Sequence, residues 1–377
     1  MRTLGLFSVL GLIACQGSEH PQTVSRDSAG VIVVENHGPD VPLGWNLELV
    51  ATVRSTEDGV AMSDLFEYTV DADTLGHTFV LNSWFGQRVQ VIDTTGKLVR
   101  IITREGAGPG EVGEGVSISS SHDGVVSVAD QSKSGIVRIK WDGKVLPGFP
   151  LAGLKQFGAA RTVGDTIVIH TMEYRSNTSW PELLQFVTSK DTATLIEHAP
   201  PRLGVRTFCG LPMEGLNPML TPDLRWHARG GRVVVNHTGE YTIHVFESGR
   251  LRRLIRRNIE PLQGDEVAVR RFFPEGKIVA DRKCVVSPAE LVRKRGVAPM
   301  VQPIRRLSID YRGIVWAERN TYQDEPSRVD VFDGSGGYLG TLSGFGAPLG
   351  FPGRDLFVFA FADSVTTEPK LRIYRRR

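Results

Sequence analysis

Five polar residues recur at one point in a repeated pattern. Asn82 closes HTFVLN, Asp130 closes GVVSVAD, His170 closes GDTIVIH, Asn236 closes GRVVVN and Glu318 closes GIVWAE. In each run a turn residue is followed by β-formers and then by the polar residue. At equivalent positions of a repeated unit, the five could form a ring of oxygen and nitrogen donors at one end of the molecule. Asn82, Asp130, Asn236 and Glu318 suit a hard cation such as Ca, which takes about six or more oxygens. His170 with His237, the residue after Asn236, suits Zn, although a catalytic zinc takes about three protein ligands. The plainer reading is that a polar residue ending a strand caps backbone groups or opens a turn. No HxH or HExxH spacing occurs, and no nucleophile elbow or triad-like serine. No catalytic residue is therefore assigned.

A second set suits recognition rather than reaction. Tyr174, Arg175, Trp180, Tyr241, Arg319 and Tyr322, with His237, fall in the longer loops expected in the third to fifth repeats. Aromatics interleaved with arginine are typical of binding surfaces. The same residues suit packing between repeats equally well.

These residues are positioned by a repeat. The runs start at His77, Gly124, Gly164, Gly231, Gly313 and, for RDLFVFA, Arg354. Each is followed by a second β-rich phrase, RVQVID after the first and RVDVFD after the fifth. A unit of several short strands with a period near ~40 residues is the signature of a propeller blade. The expected fold is all-β, a six-bladed β-propeller over residues 45–377. The last copy ends at LRIYRRR with no room for an outer strand, and a closed ring must satisfy that edge. Trp45 to Val53 alternates apolar and polar residues and is assigned as the missing strand, closing first blade onto last. An insert at 261–303 breaks the period between blades four and five. There Ser287-Pro288-Ala289-Glu290 opens a helix, with Ser as N-cap and Glu three residues on.

Composition narrows the partners. The net charge of +2 argues against nucleic acid, and the chain reads as a monomer. Between Arg250 and Arg306, however, fifteen Lys or Arg face six Asp or Glu. Such a run is usually a solvated face; the sharper alternative is a patch for anionic lipid or an acidic polymer. Cys209 and Cys284 remain as an even pair after Cys15 is set aside, and a disulfide between them fits an oxidising compartment.

The first residues read as an address. Leu4 to Ala14 is an apolar run, shorter than the ~20 residues that span a bilayer. Leu12-Ile13-Ala14-Cys15 followed by polar Gln16-Gly17-Ser18 resembles the bacterial lipobox. That resemblance implies a signal peptide at 1–14, lipidation of Cys15, and a lipid-carried tether and leading strand at 15–44. Polar Ser18 to Arg26 is expected to be the tether and Gly30 to Asn36 the strand. The location implied is the cell envelope. Gln16 after the cysteine points to the outer membrane, facing the periplasm or the cell surface.

Blade one carries the most specific text. Arg88 to Asp93, Gly96 and Gly106-Ala107-Gly108-Pro109-Gly110-Glu111 resemble the repeat of NHL-type and TolB-like bacterial six-bladed propellers. The resemblance implies a fold and an extracytoplasmic setting. Gluconolactonase-like propellers hold a divalent cation near their axis with Glu, Asn and Asp, and amidating-enzyme lyase propellers use His ligands for zinc. By that likeness Ca or Zn at the channel mouth is the one cofactor to consider. The leading expectation is a binding or scaffold module for a peptide, glycan or partner protein. The alternative is a metal-dependent lactonase-like hydrolase or lyase.

Overall fold

The computed structural model describes residues 22–53, 65, 68–82, 87–151, 157–176, 179–188, 191–279, 284–322, 324–362 and 369–377. Cys15 and the leader at 1–14 lie outside the described residues. The chain forms a six-bladed β-propeller. Blades one, two, three and five are antiparallel four-stranded sheets in simple sequence order. Their inner strands are Val70–Ala72, Gly115–Ser120, Phe157–Val163 and Ile304–Ile309, and that of blade four is Arg225–Arg229. In blade six, Gly350 bridges Val358 in the inner position.

The core lies between blades, because each strand is apolar on both faces where a neighbouring sheet covers it. Six separate apolar clusters fill the six interfaces. Phe79, Val91, Ile118 and Val128 join blades one and two, and Trp226, Val235, Val168 and Leu184 join three and four. Val53, Val80, Val358 and Ile373 join blade six to blade one. That last cluster closes the ring.

Closure depends on a strand from the other end of the chain. Leu47–Val53 pairs antiparallel with Pro369–Arg376, with Val53 opposite Leu371 and Leu47 opposite Arg376. Arg377 Nη2 donates to Glu48 Oε1 at 2.6 Å just beyond the pairing. Trp45, immediately before this strand, packs on Trp316 and Phe357 of blades five and six.

Two features depart from expectation. The polar stretch expected to be a tether is a strand from Gln22 on: Gln22–Ser28 pairs antiparallel with Val31–His37. Its side chains are all exposed, so the order comes from backbone pairing and leaves no apolar pattern to read. Val31–His37 in turn runs parallel to Arg250–Arg257 and extends blade four to six strands. The basic strand expected to be solvated is therefore covered, and its Arg257 is buried. From there the chain crosses blade five, where the Leu43 amide donates to the Thr341 carbonyl. Gly340 permits that approach, since a Cβ there would sit 2.8 Å from the Leu43 Cα.

The insert holds helices α1 (Glu266–Phe272) and α2 (Pro288–Arg295) and a short hairpin of Lys277–Val279 with Cys284–Val286. Ser287 caps α2 by accepting from the Glu290 amide, and Gly296 ends it. A Cys209–Cys284 disulfide ties this hairpin to that of Arg206–Phe208 and Leu211–Met213, in the connector between blades three and four. Phe208, Met219, Val269, Val286 and Leu291 form the insert's own small core. Among the described residues no helix is long and apolar enough to cross a membrane.

Candidate functional site

The ring has two faces: an upper one, where inner strands begin, and a lower one, where they turn outward. Near the lower face the axis is filled by charge. Asp71 of blade one pairs with Arg161 of blade three, 3.3 Å away, and with Arg229 of blade four. The Ser120 amide of blade two donates to Asp71 Oδ2 at 2.8 Å. Arg229 lies over the rings of Tyr311 and Phe351, from blades five and six, at 4.5 and 5.4 Å. All six blades thus meet around one buried carboxylate. Burial, with the charge of Arg161 adding to it, holds His227 well below its ordinary pKa and so neutral. One carboxylate between two guanidiniums makes a plug, since its oxygens already accept from both arginines and from backbone.

The polar residues that close the repeated runs lie toward the upper face, but the structure ties them to separate partners. Asp130 accepts from the amides of Gly113 and Glu114 and from the Ser132 hydroxyl, at 2.8, 3.1 and 2.7 Å. Burial alone would raise its pKa; these donors outweigh burial and lower it. Asn236 donates to the Glu240 and Thr242 carbonyls and accepts from Gln302. Glu318 accepts from the Ala347 amide at 2.8 Å, with Arg305 and Arg306 each 3.7 Å away. His170 lies 3.3 Å from Glu182 of the adjoining strand. Asn82 is buried at the end of its strand. The capping reading describes Asp130, Asn236 and Glu318. Among the described residues no three His, Cys, Asp or Glu side chains are grouped to hold a metal ion.

His237 belongs to a different grouping, with ring centres 5.8 Å from His198 and 5.2 Å from His244. Burial, with both neighbouring rings adding to it, takes its pKa down to about 4.

The recognition set divides. Tyr174 is 64% exposed and packs edge-on against Trp180, and Arg175 bridges Glu173 of the same hairpin and Glu197 of the outer strand Thr192–His198. Tyr322 stacks under Arg271 beside Phe272 of the insert. Tyr241 and Arg319 are not surface residues, contrary to the sequence expectation. Both are buried and bound to Asp330. Their neighbour is the covering N-terminal segment, whose Asp40 also binds Arg319.

The upper face carries a cavity that the repeats do not predict. It measures about 240 Å³. One wall is the connector into blade four, from Asn217 to Arg225, and another is the insert with Phe272, Phe273, Lys277 and Arg295. Gln302, at the end of the insert, and Asn320 of blade five complete the lining. Burial lowers the pKa of Arg295, and burial together with Arg295 lowers that of Lys277. Three cations share this space with a single carboxylate, Asp223, which pairs with Arg225 at 2.7 Å. No local motif announces the grouping, because its charges come from positions 225, 277 and 295. The basic excess and the two cysteines were the available signal.

No family model matches the chain, and no curated protein matches it. Among solved structures, the chain is similar to a DUF4221 family member from Bacteroides vulgatus, at 10% identity and TM-score 0.49, over 88% of this chain and 98% of that one. It is also similar to a gluconolactonase from Xanthomonas campestris, at 13% identity and TM-score 0.40, over 90% and 98%. A third is regucalcin, a calcium-binding protein from Agrobacterium tumefaciens, at 10% identity and TM-score 0.39, over 82% and 90%.

Proposed function

We propose that the protein is an exported, lipid-anchored binding module that presents its ligand site on the upper face, at the insert. The observation that carries this reading is the cavity between insert and ring. It gathers Arg225 from the connector and Lys277, Arg295, Phe272 and Phe273 from the insert around one space, and among the described residues neither Lys277 nor Arg295 has an ion-pair partner. A largely pre-formed concavity with a few convergent polar groups is the usual form of a binding site. Anchoring at Cys15 and an outer-membrane position are part of the proposal. They are supported by the lipobox-like text and by the Cys209–Cys284 disulfide, which suits an oxidising compartment.

The lactonase-like alternative requires Glu318, His170 and their counterparts to converge, whereas their contacts are with different parts of the ring. The test is to assay the purified protein, supplemented with Ca or Zn, against lactones and esters beside a panel of peptides, glycans and small anions. Saturable binding without turnover is the expected result. Metal-dependent turnover lost on Glu318→Gln or His170→Gln would overturn it.

A further inference from the structure

In the basic 250–306 region Arg270, Arg271 and Lys294 are paired with surface acids, and others meet three further fates. Arg257 is buried against Asp330 and Asp40. Arg250 and Arg252 are exposed at the start of the strand Arg250–Arg257. Lys277 and Arg295 face the cavity, and among the described residues neither has an ion-pair partner. Asp223 is already engaged by Arg225. Arg295 is nevertheless fixed in place: its Nε donates to the Asn217 backbone carbonyl at 2.7 Å. Among the described residues its two terminal nitrogens make no hydrogen bond.

From this geometry we infer that the cavity binds a small oxyanion, a carboxylate or a phosphate carried on a compact body, through Lys277, Arg295 and Arg225. The inference rests on the binding-module reading and specifies its ligand. Two neighbouring cations, partly removed from water and facing only an Asp223 already paired with Arg225, repel one another. An oxyanion entering between them relieves that repulsion and restores the hydrogen bonds lost with solvent. Arg295 supplies a planar fork suited to a two-oxygen group, and Lys277 a mobile point charge. The volume decides the size class. A space of about 240 Å³ is below the ~300–1,000 Å³ of most ligand pockets and suits a compact ligand. Phe272, Phe273 and Val301 offer an apolar wall for the rest of such a molecule. Lys277 is open to solvent, which provides the way in.

The test is calorimetric titration of the purified full chain, at ionic strength held constant with sodium chloride. The probes are acetate, benzoate, inorganic phosphate and phenyl phosphate. At least one should saturate, and Lys277→Gln and Arg295→Gln should each weaken that probe by about ten-fold or more. Lys277→Arg, which keeps the charge, should stay within about three-fold of the parent. Benzoate ahead of phenyl phosphate assigns a carboxylate ligand, and the reverse order a phosphate. If no probe saturates, or if folded Lys277→Gln binds within about two-fold of the parent, the inference fails. Lys277 is exposed, so that variant reports even if Arg295→Gln disturbs α2. Failure here with no hydrolytic turnover leaves the binding-module reading standing, whereas metal-dependent turnover removes that reading whatever the anions do.

Discussion

Arg319 grips Asp330 with two nitrogens, Nε at 2.8 Å from one carboxylate oxygen and Nη2 at 2.7 Å from the other. Asp330 also accepts from Arg257, Tyr241 and Thr341, each at 2.6 Å. Arg257 and Arg319 reach on to Asp40, at 2.8 and 2.6 Å. Two acids and two guanidiniums thus balance between blades four and five, and the N-terminal segment supplies one of the acids. Blades four and five are joined here by a polar lock as well as by apolar packing, and the lock is complete only when the N-terminal segment is in place.

Removing the central acid should therefore be severe. Asp330→Ala leaves two buried guanidiniums held only by the partly exposed Asp40 and a tyrosine hydroxyl without its acceptor, and breaking a buried pair in this way costs about 3–5 kcal/mol. Asp40 is partly exposed, so water can replace it, and Asp40→Ala should cost clearly less. Urea unfolding of both variants checks the order. Equal losses would mean that the two acids are not central and peripheral.

Ring closure gives a second expectation. Leu47–Val53 covers the free edge of Pro369–Arg376 and contributes Val53 to the cluster between blades six and one. Deleting residues 47–53 should abolish cooperative thermal unfolding instead of lowering its midpoint by a few degrees. A sharp melt in the deletion variant would show that the ring closes without this strand.

The disulfide concerns the insert. It closes a span of 75 residues that includes blade four, for which the chain-entropy treatment gives about 4 kcal/mol. Reduction should release two thiols and speed proteolytic cleavage around Cys209 and Cys284 before the blades are cut. Cleavage that begins in the blades would mean that the bridge supports the ring and not the insert.

The repeat was legible because second and third strands of each blade are covered on both sides. HTFVLN, GVVSVAD and GRVVVN are buried along nearly their whole length, so they read as continuous apolar runs. Gln22–Ser28 was not legible, since nothing covers it and backbone pairing leaves no apolar signature. The pairing of Val31–His37 beside Arg250–Arg257 joins elements separated by more than half the chain, which local pattern does not encode. Tyr241 and Arg319 looked like surface residues for the same reason: the acid that buries them, Asp330, lies in the outwardly ordinary phrase RVDVFD. The cavity was hidden in another way. Arg225, Lys277 and Arg295 become neighbours only when the disulfide-tied insert folds back on the ring.

His227 gives the pH dependence of the plug. It is buried between blades, and its pKa is depressed by burial and by Arg161, whereas an unfolded histidine titrates near 6.5. Above pH 6.5 neither state binds this proton, and the native advantage is fully present. As pH falls below 6.5 the unfolded chain takes up a proton that the native chain refuses, so stability declines. The limiting slope is about 1.4 kcal/mol per pH unit for one such histidine. His237, with a pKa of about 4, adds a loss in the same direction between 6.5 and that value. Paired carboxylates such as Asp40, whose pKa the arginines lower against burial, contribute at more acid pH and are common to parent and variant. His227→Gln should therefore flatten the stability profile between about pH 6.5 and 5 relative to the parent, by up to that slope. Urea midpoints at several pH values in this window measure it. Parallel profiles would mean that His227 is protonated in the folded ring, and the plug would then hold three cations against Asp71.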